Sequence, residues 1–224
     1  MEFSDVVRST FAVRDFVPST LPDEVLYRIL DQARFAPSGG NRQGWRVLVL
    51  RDPEKRRRLA DFARTPMQEY IARRKAGEVP FNTVVPTQIT PEQIAAVTLR
   101  FPLLDHLDDV SLIPVVLVVA VDLSRVASFD SMLSRIGVIS GGSVYPFVWN
   151  ILMGARNEGY GGVLTTFLSP READVQEMLG LPAHFAIAAL VPLGKPRKQL
   201  TRLTRDAVED FTRVEHWDGP AFKP

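Results

Sequence analysis

A chain of 224 residues, 46% hydrophobic and 24% charged, is long enough to bury a sizeable core as one domain. Its formal net charge of +1 provides no global field toward nucleic acid, acidic partners or a membrane surface. It has no cysteine, which excludes disulfides, thiolate metal sites and a cysteine nucleophile and fits a cytoplasmic setting.

Taken in chain order, Ser4 is placed to cap a short helix over 5–9, and 11–18 reads as extended. Asp5, Arg8 and Arg14 break the N-terminal region too often for a signal peptide. Pro22-Asp23-Glu24 carries the start signals of a second helix, because Pro fits the first turn and acidic residues there complement the helix dipole. Val25, Leu26, Ile29, Leu30 and Ala33 recur at helical spacing as its buried stripe. Residues 47–50 read as a short buried strand. Asp52-Pro53-Glu54 opens a third helix, with Leu59, Ala60 and Phe62 inward and a basic outer face.

Residues 61–110 hold Pro66, Pro80, Pro86, Pro91 and Pro102 and few periodic runs. They predict short helices and loops, a variable segment suited to cover a site as a lid. Residues 115–121 are apolar and almost all β-branched, as in a central strand buried on both faces. No charge occurs between Arg135 and Arg156, but Gly141, Gly142, Pro146 and Asn150 interrupt the stretch. It therefore reads as a buried helix over 142–158 rather than a membrane span. Gly159-Tyr160-Gly161-Gly162 breaks that helix and leads into a strand over 163–168. Ser169-Pro170-Arg171-Glu172 starts another helix and Gly180-Leu181-Pro182 ends it. A last core strand covers 184–193, and 194–196 turns into a basic arm over 195–224. One domain spans 1–224.

Several chemistries find no support. Arg56, Arg57, Arg58, Arg64, Arg73, Arg74 and Lys75 interleave with acidic residues and lack an aromatic stacking set, so they read as solvated helix faces rather than a nucleic-acid surface. His106, His184 and His216 lack metal-ligand spacing, and no metal is expected. Gly141-Gly142-Ser143-Val144-Tyr145 lacks the final glycine of a nucleophile elbow.

The loop 36–45, Ala-Pro-Ser-Gly-Gly-Asn-Arg-Gln-Gly-Trp, combines a stiff backbone with a dense set of donors and acceptors on Ser38, Asn41 and Gln43. Trp45 closes it as an apolar wall, an arrangement suited to a planar, heteroatom-rich ligand. The stretch resembles the Ala-Pro-Ser-x-x-Asn-x-Gln-Pro-Trp signature of the nitroreductase family of flavoenzymes. Phe11-Ala12-Val13-Arg14-Asp15-Phe16 resembles that family's phosphate-gripping N-terminal segment. Arg14 stands at its final basic position, while Thr10, Phe11 and Ala12 replace the usual basic pair and serine. Asn157–Thr166 resembles the turn and strand that back the flavin ring. The arm 202–211 resembles the segment whose basic residue returns to the phosphate, with Arg205 the best match and Arg202 the second.

The resemblance covers 4–60 and 111–217. It implies an α+β fold, a three-layer α/β/α sandwich around a mixed, mostly antiparallel sheet, assembled as an intertwined homodimer with FMN in the interface. Arg14, Thr165, Thr166 and Arg205 would come from one subunit and Pro37, Ser38, Gly39 and Asn41 from the other, with Leu164 lining the ring and Gln43 also binding the cofactor. A main-chain N–H of 164–166 would lie near flavin N5. The implied activity is hydride transfer from NAD(P)H through the flavin to a nitroaromatic, quinone or similar acceptor, with no protein acid or base identified. A flavin-fragmenting, dehalogenating or deazaflavin-using side branch stays open, as does a flavin-binding protein with little turnover.

Overall fold

The computed structural model describes residues 1–224. Its first half runs α1 (Phe3–Ser9), β1 (Phe16–Val17), α2 (Asp23–Ala33), β2 (Trp45–Leu50), α3 (Pro53–Lys75), α4 (Pro91–Ala95) and α5 (Pro102–Asp105). There follow β3 (Val115–Asp122), α6 (Tyr145–Asn157), β4 (Gly161–Gly162), α7 (Glu172–Leu179), β5 (Phe185–Pro196) and α8 (Val208–Phe211).

β3 is buried along its whole length, as its β-branched run predicts. The strand order is β1-β5-β3-β2, with β4 also on β5, and every strand pair is antiparallel. A parallel bridge between Ala12 and Gly162 makes the sheet mixed. Alternation along β3 then builds two cores. Val115, Leu117, Val119 and Val121 pack with Leu26 and Ile29 of α2 and Phe147, Val148 and Ile151 of α6. Val116, Val118 and Ala120 pack with Leu59, Ala63 and Met67 of α3 and Leu103 and Leu104 of α5. The result is the expected α/β/α sandwich. No helix is long and apolar enough to cross a membrane.

Several local expectations fail for identifiable reasons. Ser4 lies inside α1, whose N-cap position is Glu2 without a side-chain bond. β2 is an edge strand paired only with β3, so its burial is partial rather than complete. Trp45 is 8% exposed and stacks on Phe147 at 4.7 Å and 6°, which makes it part of the core and not a ligand wall. Residues 163–168 form no continuous strand: β4 is two residues long, and only the Thr165–Leu190 bridge follows. β5 runs on through 194–196 because β1 pairs with Lys195 and Pro196.

The largest departure is α3. Asp52 caps it, its carboxylate accepting from the Glu54 amide at 2.9 Å. The helix then continues past Pro66 to Lys75. A mid-helix proline sacrifices one hydrogen bond, but Pro66 is itself buried beside Ala63 and Met67, and that packing carries the helix through. The expected region of short helices therefore begins only after Lys75, with α4 and α5. Arg56, expected on a solvated face, is 0% exposed. Its guanidinium donates to the carbonyls of Leu50 at 2.8 and 2.6 Å, Ile113 at 2.7 Å and Pro114 at 3.2 Å. Burial, and secondarily the charge of Arg51, lowers its pKa from the ordinary arginine value.

Candidate functional site

The chain leaves α6 through Gly159, at φ 78°, and immediately enters a close approach of two backbones. A Cβ on Gly162 would fall 2.4 Å from the Pro192 carbonyl oxygen and 2.6 Å from Leu193 Cδ2, so only glycine allows β4 to lie against β5 there. The Gly162 carbonyl accepts from the Val13 amide at 2.9 Å, which fixes 12–14 beside the 161–166 segment. Thr165 exchanges both backbone bonds with Leu190, at 3.0 and 2.9 Å. The amides of Leu164 and Thr166, on the alternate side, donate to no backbone acceptor.

This arrangement makes one wall of a cavity of about 760 Å³, formed by Arg14, Leu164, Thr165 and Thr166. The opposite wall is a face of α3, with Met67, Tyr70, Ile71 and Arg74 at helical spacing. Phe81, Phe101 and Phe167 add aromatic surface, and Tyr70 meets Phe167 edge-on at 5.7 Å. No carboxylate lines the cavity. The Arg14 side chain makes only a 3.4 Å contact with the Ala12 carbonyl, leaving its charge directed to no acid. An unpaired guanidinium, free main-chain donors, two threonine side chains and apolar walls fit a flat, heteroatom-rich group that ends in an anion.

Four of the residues singled out by sequence thus converge. Thr10 does not join them: it is 3% exposed, and its hydroxyl donates to the Val6 carbonyl at 2.7 Å. Arg205 also lies outside this cavity, on an exposed arm, with its guanidinium bonded to the Thr204 carbonyl at 2.7 Å.

Pro37, Ser38, Gly39, Asn41 and Gln43 occupy a second place. They form a preorganised corner in which Gly40, Asn41 and Gln43 adopt φ of 61°, 52° and 48°. Non-glycine residues rarely take that conformation, and Asn41 is the type that best tolerates it. Ser38 holds the corner: its hydroxyl accepts from the Gln43 amide at 3.0 Å and its carbonyl from the Asn41 amide at 2.8 Å. Gln43 Nε2 donates to Asn41 Oδ1 at 3.1 Å. The corner is anchored to the turn before α6, where the Ser143 hydroxyl accepts from the Gly39 amide at 3.1 Å. None of these residues lines the Arg14 cavity.

The chain leading into that turn exposes a run of large apolar side chains. Phe129 and Met132 are 90% and 92% exposed, and Ile136 and Val138 are each 65% exposed. The segment is nevertheless fixed, because the buried Asp130 carboxylate accepts from the Val138 amide at 2.7 Å and from Arg135 at 2.9 Å. The Val138 bond first, and the Arg135 bond after it, hold the Asp130 pKa below the usual carboxylate value.

The residues that sequence reasoning missed are those of α3 together with Phe81, Phe101 and Phe167. Positions 67, 70, 71 and 74 follow the i, i+3, i+4, i+7 rule, and that spacing was the available signal.

The Nitroreductase family model matches residues 7–195. A Thermus thermophilus protein named NADH dehydrogenase is 30% identical over 197 residues, covering 84% of this chain and 83% of that protein. Among solved structures, iodotyrosine deiodinase bound to FMN and 3-iodo-L-tyrosine superposes with a TM-score of 0.67 at 22% identity, over 96% of this chain and 100% of that one. The NADPH:FMN oxidoreductase of Vibrio harveyi complexed with NAD+ gives 0.64 at 19% identity, over 95% and 77%. These structures share the fold of this chain.

Proposed function

Because the chain belongs to the nitroreductase family, we propose that this oxidoreductase is an FMN-dependent enzyme that oxidises NAD(P)H and reduces a nitroaromatic, quinone or similar acceptor. The observation that carries this reading is the acid-free cavity in which unpaired Arg14 meets the free main-chain donors beside Thr165. The cofactors of the structural relatives support FMN as the group it takes.

FMN, when bound, would supply the two-electron redox chemistry that links the nicotinamide to the acceptor. For a quinone the overall balance is NAD(P)H plus quinone plus one proton, giving NAD(P)+ and hydroquinone. The chain binds and orients. Arg14 would hold the phosphate through charge-assisted hydrogen bonds, which a guanidinium fork suits better than an ammonium. In the single chain Arg205 bonds its own backbone, and we assign the phosphate to Arg14 alone. The amides of Leu164 and Thr166 present fixed donors to the ring's heteroatoms, at no cost of reorganisation. Met67, Ile71 and Phe101 exclude water from the reacting face.

The site is completed by a second copy. The corner built around Ser38 and Asn41 is rigid, polar and outside the cavity of its own chain. It is anchored to the turn that follows the exposed apolar run of Phe129, Met132, Ile136 and Val138, side chains of the kind that subunit interfaces cover. Ser38 of the partner subunit and Asn41 of the partner subunit would therefore close the slot facing Arg14.

The purified protein is expected to carry or take up FMN and to lose its flavin absorbance anaerobically on addition of NADH or NADPH, regaining it with a quinone. A protein that ignores added FMN would refute the reading. One that binds FMN without being bleached by either nucleotide would be a flavin-binding protein instead.

A further inference from the structure

Two arginines line the cavity, and only Arg14 is accounted for. Arg74 sits at the outer end of the α3 stripe, four residues after Tyr70, so the two side chains share one helix face. Its neighbour Arg73 is engaged, paired with Glu69 and placed 4.5 Å over the Phe81 ring. Arg74 has no such acid partner, and no carboxylate on the cavity wall offers one. Along the stripe the character changes steadily. Met67 is buried and apolar, Tyr70 and Ile71 are half-buried, and Arg74 is exposed and cationic. Such a gradient matches a molecule with a flat apolar body and one anionic end.

We propose that the α3 face selects nitroaromatic acids as the electron acceptor, the ring lying against Tyr70 and Met67 and the carboxylate paired with Arg74, with NAD(P)H, one proton and the nitro acid giving NAD(P)+, the nitroso acid and water. This rests on the oxidoreductase reading above and adds the substrate class to it. A guanidinium binds a carboxylate bidentately and so fixes orientation as well as charge, directing the far end of the ring inward toward Thr165 and Thr166. The basic residue is thus a specificity element rather than a solvated surface charge.

The test compares 4-nitrobenzoate with 4-nitrobenzamide, which have nearly the same shape but differ in charge. Titration calorimetry with benzoate and benzamide, neither of them reducible, provides a readout independent of turnover. The holoenzyme is expected to bind benzoate at least tenfold more tightly than benzamide. Arg74→Gln should remove that preference and raise KM for 4-nitrobenzoate tenfold, leaving kcat, the 4-nitrobenzamide constants and FMN affinity within twofold. Arg74→Lys should restore part of the preference. An equal loss on acid and amide would overturn the proposal. So would weakened FMN binding in Arg74→Gln, which would make Arg74 a cofactor-phosphate residue. Wild-type holoenzyme that is yellow and bleached by NADH yet shows no acid preference refutes this inference alone, whereas wild type that binds no FMN refutes the cofactor reading.

Discussion

Arg56→Ala should lower the unfolding free energy by about 3–5 kcal/mol, from buried acceptors left unsatisfied together with the cavity left by a large buried side chain. The guanidinium ties three carbonyls, those of Leu50, Ile113 and Pro114, into one bonded group. These carbonyls end the edge strand β2 and lead into the central strand β3. Removal leaves buried acceptors unsatisfied, at roughly 1–3 kcal/mol for each fully orphaned group, and opens a cavity under α3. No carboxylate balances the charge, so the carbonyl dipoles alone offset its desolvation. Arg56→Lys should recover little, because an ammonium on a flexible stem cannot span the same carbonyls. Urea unfolding with the slope held constant measures both variants. A loss below about 1 kcal/mol for the alanine variant would mean that the carbonyls find other donors and that Arg56 does not hold the sheet to the helix layer.

Arg14→Ala should weaken FMN binding tenfold or more, from roughly 1.5–3 kcal/mol for a hydrogen bond to a charged group. The effect should fall on affinity and not on folding, because the side chain is exposed and its one protein contact is 3.4 Å long. Flavin fluorescence titration against a thermal melt separates the two. An unchanged titration would place the phosphate elsewhere and return Arg205 to consideration. The effect is concentrated on Arg14 because Thr10, where a basic residue commonly stands in similar proteins, is turned inward onto Val6.

Features set by local chemistry were readable from the sequence. The β-branched run of β3, the apolar stripe of α2, the first-turn Pro146 of α6 and the glycine break at 159–162 each appear where the residues place them. The polar corner at 38–43 was also legible as a preorganised loop, because Gly40 and Asn41 suit left-handed backbone.

What escaped was set by tertiary contact. Pro66 reads as a helix breaker until the packing that carries α3 through it is known, and losing that helix hid the Tyr70–Arg74 face with it. Arg56 reads as one more basic residue because nothing in its neighbours reveals three carbonyls waiting above the helix. Trp45 reads as a ligand wall when only its loop is considered, and as core once Phe147 arrives from α6. The division of the site between two places on one chain could not be found in the residues themselves. It is what the resemblance implies; the structure itself shows only that the Ser38–Gln43 corner lies outside the Arg14 cavity of its own chain.

A mixed dimer tests that division most directly. One subunit carries Arg14→Ala and the other carries Ser38→Ala with Asn41→Ala, with differently tagged chains purified as the hybrid. If each flavin slot draws on both chains, one slot of the hybrid collects every substitution and the other collects none. The hybrid should then bind one FMN per dimer at wild-type affinity, while both parental homodimers bind weakly. A hybrid with no wild-type site, or a chain that stays monomeric while binding FMN at full strength, would contradict a slot shared between subunits.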